Sequence, residues 1–251
     1  MTKTGPRFLC CIAFGMLSLF IAARPMSAQD TMAAPTKAVD TSHLNFLPAQ
    51  SPDALALLAP PPAPGSAEQA ADLEEVRAVY HNAGSNDVAI ANSQKKFDVF
   101  TFGPVIGAFL IPGRYPKTEA FFRNVQADAA AVTDNAKEHY RRPRPYVMDP
   151  SLANGKLEKS FSYPSGHSTE SMVLGLVLAE IFPEKREAIL DEARSIGWHR
   201  VIIARHYPTD IYAGRVLAQA IVRQMKQSDA FQRGIAEAKA ELAAAQRAAN
   251  N

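Results

Sequence analysis

Apolar residues along this chain recur at intervals of three and four, the spacing that lines one face of a helix, with no convincing alternation that would read as a strand. From Ala67 the pattern is helical, with Ser66 as its N-cap and Gly84 closing it. Residues 87–110 read as one or two further helices, broken near Gly103 and Pro104, and "IPGRYP" reads as a turn. Residues 117–140 form a long Ala-rich helix that "RRPRPY" stops, because proline clashes with continued helical geometry. Residues 167–182, "HSTESMVLGLVLAEIF", make the most apolar helix and are expected at the centre of the fold. Glu180 and the following Pro183 keep it too short to cross a bilayer. "SLANGKLEKSFSYPSG" before it is a loop, and three more helices follow over 183–205, 208–228 and 229–251, the last amphipathic and fraying. The expected class is all-α, a single-domain helical bundle without internal repeats.

The segment ahead of these helices reads differently. Lys3 and Arg7 precede an unbroken apolar run over residues 8–23, and Pro25 and the small Ala28 follow it. That is the arrangement of an export signal cleaved after Ala28, which places the mature protein in the periplasm. Residues 29–45 are expected to be a disordered lead-in. The domain proper is expected over 46–242, with 243–251 as a frayed tail. At the start of that domain, Pro60, Pro61, Pro62 and Pro64 favour extended geometry, while Leu55, Leu57 and Leu58 should lie against something.

Composition narrows the picture. With 251 residues, 47% of them hydrophobic, the chain can bury a sizeable core. Its net charge of +2 gives no footprint for nucleic acid or a membrane surface. Cutting after Ala28 removes Lys3, Arg7 and Arg24 but no acid, so 24 basic side chains then face 25 acidic ones. Cys10 and Cys11 both lie inside the signal, which leaves the mature chain without thiol or disulfide chemistry.

Three polar clusters remain. "KEHYRRPRPY" carries Lys137, Arg141, Arg142 and Arg144; taken alone it is a basic helix end that complements the helix dipole. "SYPSGHST" leads a turn at Pro164, Ser165, Gly166 and His167 into the apolar helix, so free backbone amides and the positive dipole end converge where an anion could sit. "WHRVIIARHYPTDIYAGR" holds an apolar run between Arg200 and His206. Pro208 opens the next helix, and Asp210 in its first turn falls within reach of the His206 imidazole. A carboxylate that fixes one ring nitrogen sets the tautomer of the other, as a nucleophilic histidine requires. Each cluster alone also reads as capping. Together they supply fixed cations, an anion-binding helix start and two histidines, which is what phosphoryl transfer asks for. Trp198, Arg205 and Arg215 read as structural, and no metal-ligand spacing is present.

Lys137-x6-Arg144-Pro145, then Pro164-Ser165-Gly166-His167, then Arg200-x5-His206-x3-Asp210 resembles, in order and spacing, the three-part signature of the PAP2 phosphatase and vanadium haloperoxidase superfamily. Over residues 46–242 the chain is similar to bacterial class A non-specific acid phosphatases. It departs in one place, where His199 stands before Arg200 instead of the usual serine. The resemblance implies that His206 attacks phosphorus, Asp210 orients it, and His167 serves as acid and then base. It also implies that Lys137, Arg144, Ser165, Gly166 and Arg200 hold the phosphate oxygens, with no cofactor and no metal. Small phosphate monoesters are the implied substrates, a homo-oligomer the implied assembly, and phosphotransfer a further activity. A vanadate-dependent haloperoxidase, a lipid phosphatase and a non-catalytic phosphate-binding protein are the alternatives at this point.

Overall fold

The computed structural model describes Met1, Thr2 and residues 44–249. Apart from Met1 and Thr2, the expected export signal lies outside the described residues, as does the expected lead-in up to residue 43. Among the described residues every regular element is a helix: α1 (Ala54–Leu57), α2 (Ala67–Asn82), α3 (Ser85–Ser93), α4 (Gly103–Ile106), α5 (Pro116–Tyr140), α6 (Pro145–Met148), α7 (Gly166–Ile181), α8 (Arg186–Ile202), α9 (Pro208–Met225) and α10 (Asp229–Ala249). Short 3-10 turns over Val99–Phe102, Pro150–Leu152 and Pro183–Lys185 link some of them.

The centre is α7. It is apolar on nearly every side, with Val173, Leu174, Val177 and Leu178 fully buried, as suits a helix surrounded by others. Helices α5, α8, α9 and α10 all pack on it, while α2 lies across α8 and α9, and α3 lies on α8. The first turn of α7 is clasped from two sides. A Cβ at Gly197 of α8 would come within 3.1 Å of the Ser168 side chain, and one at Gly214 of α9 within 2.9 Å of the Ser165 carbonyl oxygen. Two glycines therefore let α8 and α9 approach the Pro164–His167 turn at backbone distance.

Several boundaries differ from those read in the sequence. Gly103 and Pro104 open a short helix instead of breaking one, because proline suits the first turn. The helix read over 183–205 ends at Ile202, where Ala204 takes a positive φ of 51° and turns the chain. Of the three leucines near α1 only Leu58 is buried; Leu55 and Leu57 stay 45% and 42% exposed. Order begins before residue 46, since the Asn45 and Phe46 amides both donate to the buried Asp128 carboxylate at 2.8 Å. The C-terminus does not fray at 243 either. α10 continues through Ala249, with Phe231, Ala238 and Leu242 buried and Ala245 packed on the same core.

Gly214→Ala tests the clasp. The added methyl must push α9 off the α7 turn, and overpacking of this kind costs about 1–3 kcal/mol. Urea unfolding should show that loss, and a variant as stable as the parent would show that the contact can relax.

Candidate active site

The three polar clusters converge at the N-terminal end of α7. α5 ends with Arg141 in the left-handed region at φ 49°, its amide donating to the Lys137 carbonyl at 2.9 Å. That reversal turns Arg142 and Arg144 back into the protein, where both are buried. Lys137, one turn from the end of α5, is buried and donates to the Phe161 carbonyl at 2.9 Å. A Cβ placed on Gly166 would lie 3.9 Å from Lys137 Cε, so the ammonium stem runs beside the α7 turn. Ser165 caps α7, accepting from the Ser168 amide at 3.3 Å, and its own amide donates to the Asp210 carbonyl at 3.1 Å. The first amides of α7, at Gly166 and His167, have no helical partner, which is the feature that draws anions to helix starts.

His206 sits in the bend between α8 and α9. The Arg205 and His206 amides donate to the Arg200 carbonyl at 2.7 and 3.3 Å, bracing the turn. Its Nδ1 lies 3.2 Å from Asp210 Oδ2. Its Nε2 lies 3.1 Å from Arg144 Nη1. A guanidinium can only donate, so Nε2 carries the lone pair and Nδ1 the proton that Asp210 accepts. This is the neutral tautomer in which Nε2 carries the lone pair a nucleophile needs, here accepting from Arg144. Burial, then the charges of Arg144 and Lys137, pushes the His206 pKa well below its ordinary value.

His167 donates from Nε2 to the Lys95 carbonyl at 3.2 Å and packs against Phe97, ring centres 5.2 Å apart. It retains some solvent access, yet the surrounding protein and then Arg200 lower its pKa to about 3. Both histidines are therefore neutral in the fold at neutral pH. Burial and the nearby cations act on both alike. An anion held among the cations reverses the second effect and lets His167 take up a proton.

Asp210 is the most heavily held side chain here. Arg142 Nη1 donates to Oδ1 at 2.6 Å, Ser162 Oγ to Oδ2 at 2.5 Å, and the Tyr207 amide to Oδ2 at 3.0 Å. The other arm of Arg142 pairs with Asp72 of α2 at 2.6 Å, and its guanidinium lies 3.8 Å from the centre of the Tyr207 ring. Burial would lower the Arg142 pKa, but Asp210 and Asp72 hold it above its ordinary value. Sequence reading left Arg142 as a dipole-complementing cation and gave no role to Asp72 or Ser162, since the structure joins them over long separations.

Arg144 is anchored by the Ser160 carbonyl at 2.8 Å, the Ser160 hydroxyl at 2.9 Å and the Arg205 carbonyl at 2.9 Å. Arg200 differs, because its Nε and Nη1 are buried and make no hydrogen bond within the described residues. Two orphaned guanidinium donors are costly unless an anion completes them. Burial lowers the Lys137 pKa to about 8 and the Arg200 pKa to about 10, so both remain charged at neutral and acid pH. Among the described residues no three His, Cys, Asp or Glu side chains gather as a metal-ion set.

His199, without a role in the sequence, meets Gln94 Oε1 at 2.5 Å through Nδ1, and Gln94 in turn donates to Glu192 at 3.1 Å. It thus pins the end of α3 one residue ahead of the carbonyl that receives His167. Arg205 is structural, donating to the Asn154 and Lys156 carbonyls of the loop after the 150–152 turn.

A family model described as the PAP2 superfamily matches residues 125–231, which contain every one of these motif residues. A non-specific acid phosphatase of Providencia stuartii is 32% identical, with 93% of this chain and 95% of that one aligned. The chain belongs to the PAP2 superfamily. It groups there with bacterial non-specific acid phosphatases; an acid phosphatase of Zymomonas mobilis is 28% identical over 98% of this chain and 93% of that one. Among solved structures, a bacterial vanadium-dependent iodoperoxidase superposes with a TM-score of 0.54 at 20% identity, over 82% of this chain and 63% of that one. That likeness is one of PAP2 fold.

Replacing Arg142 with Met strands the Asp72 and Asp210 carboxylates in the interior, a loss of about 3–5 kcal/mol for a broken buried pair. Denaturant unfolding should show the fall. Restoration in the double variant Arg142→Met with Asp72→Asn should be partial, because Asp210 stays unpaired.

Proposed function

We propose that this chain is a periplasmic acid phosphatase that hydrolyses phosphate monoesters through a phosphohistidine at His206. One observation carries the reading: a neutral, buried imidazole, oriented by Asp210, holds its lone pair among Lys137, Arg144 and Arg200, and two Arg200 donors have no partner among the described residues. A phosphoryl group placed there meets charge on its equatorial oxygens and a nucleophile on one axial side.

The chemistry follows from the donors present. The phosphate dianion enters the cradle of Lys137, Arg144, Arg200 and the α7 amides, and its charge raises the affinity of His167 for a proton. His206 Nε2 attacks phosphorus, forming an N–P bond as the bond to the ester oxygen breaks. His167 gives its proton to that oxygen and the alcohol leaves. The neutral His167 then takes a proton from water, whose oxygen attacks phosphorus and displaces His206. Asp210 steadies the positive charge that His206 carries in between. An alcohol in place of water gives phosphotransfer by the same steps. The acid side of neutrality favours the cycle, since His167 must gain a proton. On the alkaline side Lys137 loses its charge as pH rises through about 8, which weakens phosphate binding.

Location rests on the signal-like segment at residues 3–28. Among the described residues no helix is long and apolar enough to cross a membrane. The substrates are taken to be small soluble monoesters, and the assembly a homo-oligomer, in keeping with the class the chain resembles.

Turnover of an aryl phosphate by the wild type and by His206→Ala tests the reading. Loss of the triad nucleophile should reduce kcat by roughly 10⁴-fold or more. Acid-labile, alkali-stable phosphate should be trapped on wild-type His206 by rapid quench. Retained turnover in His206→Ala would overturn the reading.

A further inference from the structure

One side chain in the phosphate cradle belongs to none of the three motifs. Glu158 lies in the loop between the 150–152 turn and α7, and its carboxylate bridges the two arginines of the cradle. Oε2 pairs with Arg144 Nη2 at 2.7 Å, and Oε1 pairs with Arg200 Nη2. Arg144 does not need this partner, because Ser160 and the Arg205 carbonyl already fix its guanidinium. Among the described residues Arg200 has no other side-chain hydrogen-bond partner, and its Nε and Nη1 make no hydrogen bond there. Glu158 thus covers part of an anion site without completing it.

The loop holds this arrangement from its main chain. Tyr146 donates its hydroxyl to the Glu158 carbonyl at 2.8 Å, Arg205 grips the Asn154 and Lys156 carbonyls, and Arg144 grips that of Ser160. With the backbone tied at four points, the side chain alone is left to move. It is 33% exposed and faces a cleft of about 490 Å³ lined by Lys95, Lys156 and Lys159, where a displaced carboxylate would find cations and water.

We propose that Glu158 is a tethered competitor of substrate phosphate: its carboxylate occupies oxygen positions between Arg144 and Arg200 in the resting enzyme, and phosphate binds by displacing it. The exchange is chemically graded. A carboxylate brings one charge and two oxygens, whereas a phosphate ester dianion brings two charges and three oxygens that can also reach the empty Arg200 donors. Singly charged anions gain little by the exchange, so the device favours monoester dianions and hastens departure of product phosphate. The inference rests on the phosphatase reading for its substrate, but the binding event can be measured without turnover.

The test is inorganic phosphate binding to full-length wild type, Glu158→Gln and Glu158→Asp by calorimetry, alongside its inhibition constant against an aryl phosphate. A site blocked most of the time has its apparent affinity reduced by the free fraction, so Glu158→Gln should bind phosphate about tenfold more tightly, with a matching fall in KM. Glu158→Asp, too short to span both arginines, should fall between. Unchanged or weaker phosphate binding in Glu158→Gln would overturn the proposal and mark Glu158 as a support for Arg200. Should the variants not fold, a structure of the wild type with phosphate decides: the carboxylate must have left Arg200, and a bridge intact beside bound phosphate overturns the proposal. Absence of turnover in a wild type that still binds phosphate would count against the phosphatase reading alone.

Discussion

A guanidinium shared by two buried carboxylates holds this molecule's chemistry in place. Arg142 joins Asp72 on α2 to Asp210 on α9, from a chain segment that has just left α5. Three parts of the bundle therefore meet at one side chain. Asp210, so fixed, fixes the Nδ1 proton of His206, and the lone pair on Nε2 is a consequence. Each step is short and buried, so the tautomer of the histidine is set by Asp210 four residues on, and Asp210 in turn is held by packing between helices.

The same region carries more positive charge than it balances. Lys137, Arg142, Arg144, Arg200 and Arg205 are all buried, against Asp72, Asp210 and the half-buried Asp134 and Glu158. Burial first, and then this surplus, lowers the pKa values of Lys137 and Arg200 and keeps both histidines neutral. A group such as His167, charged when unfolded below its ordinary pKa but neutral in the fold down to about 3, costs stability as pH falls across that window. The protein thus holds a destabilised pocket that an anion relieves, which is the physical meaning of an active site preorganised for phosphate.

Much of this was legible in the chain. The 3.6-residue periodicity marked the long helices, and Ser66, Ser165 and Pro208 marked starts that the structure keeps. The three motifs placed Lys137, Arg144, Ser165, Gly166, His167, Arg200, His206 and Asp210, which the fold brings to one end of α7. What stayed hidden depends on distance along the chain. Asp72 reads as one more polar residue of a largely polar helix, and only packing of α2 on α9 makes it a partner of Arg142. Glu158 sits in a loop without periodicity, and nothing local announces that it enters the cradle. The last helix was legible as an amphipathic one, but the expected fraying from 243 did not allow for its packing on α5, with Ala245 against the same core.

The account turns on whether phosphorus is transferred to the protein before water attacks. The stereochemical course at phosphorus reports this most directly, using a monoester made chiral with oxygen isotopes. Two in-line displacements, one by His206 and one by the acceptor, predict overall retention of configuration. Inversion would mean a single direct attack by water and would contradict the account.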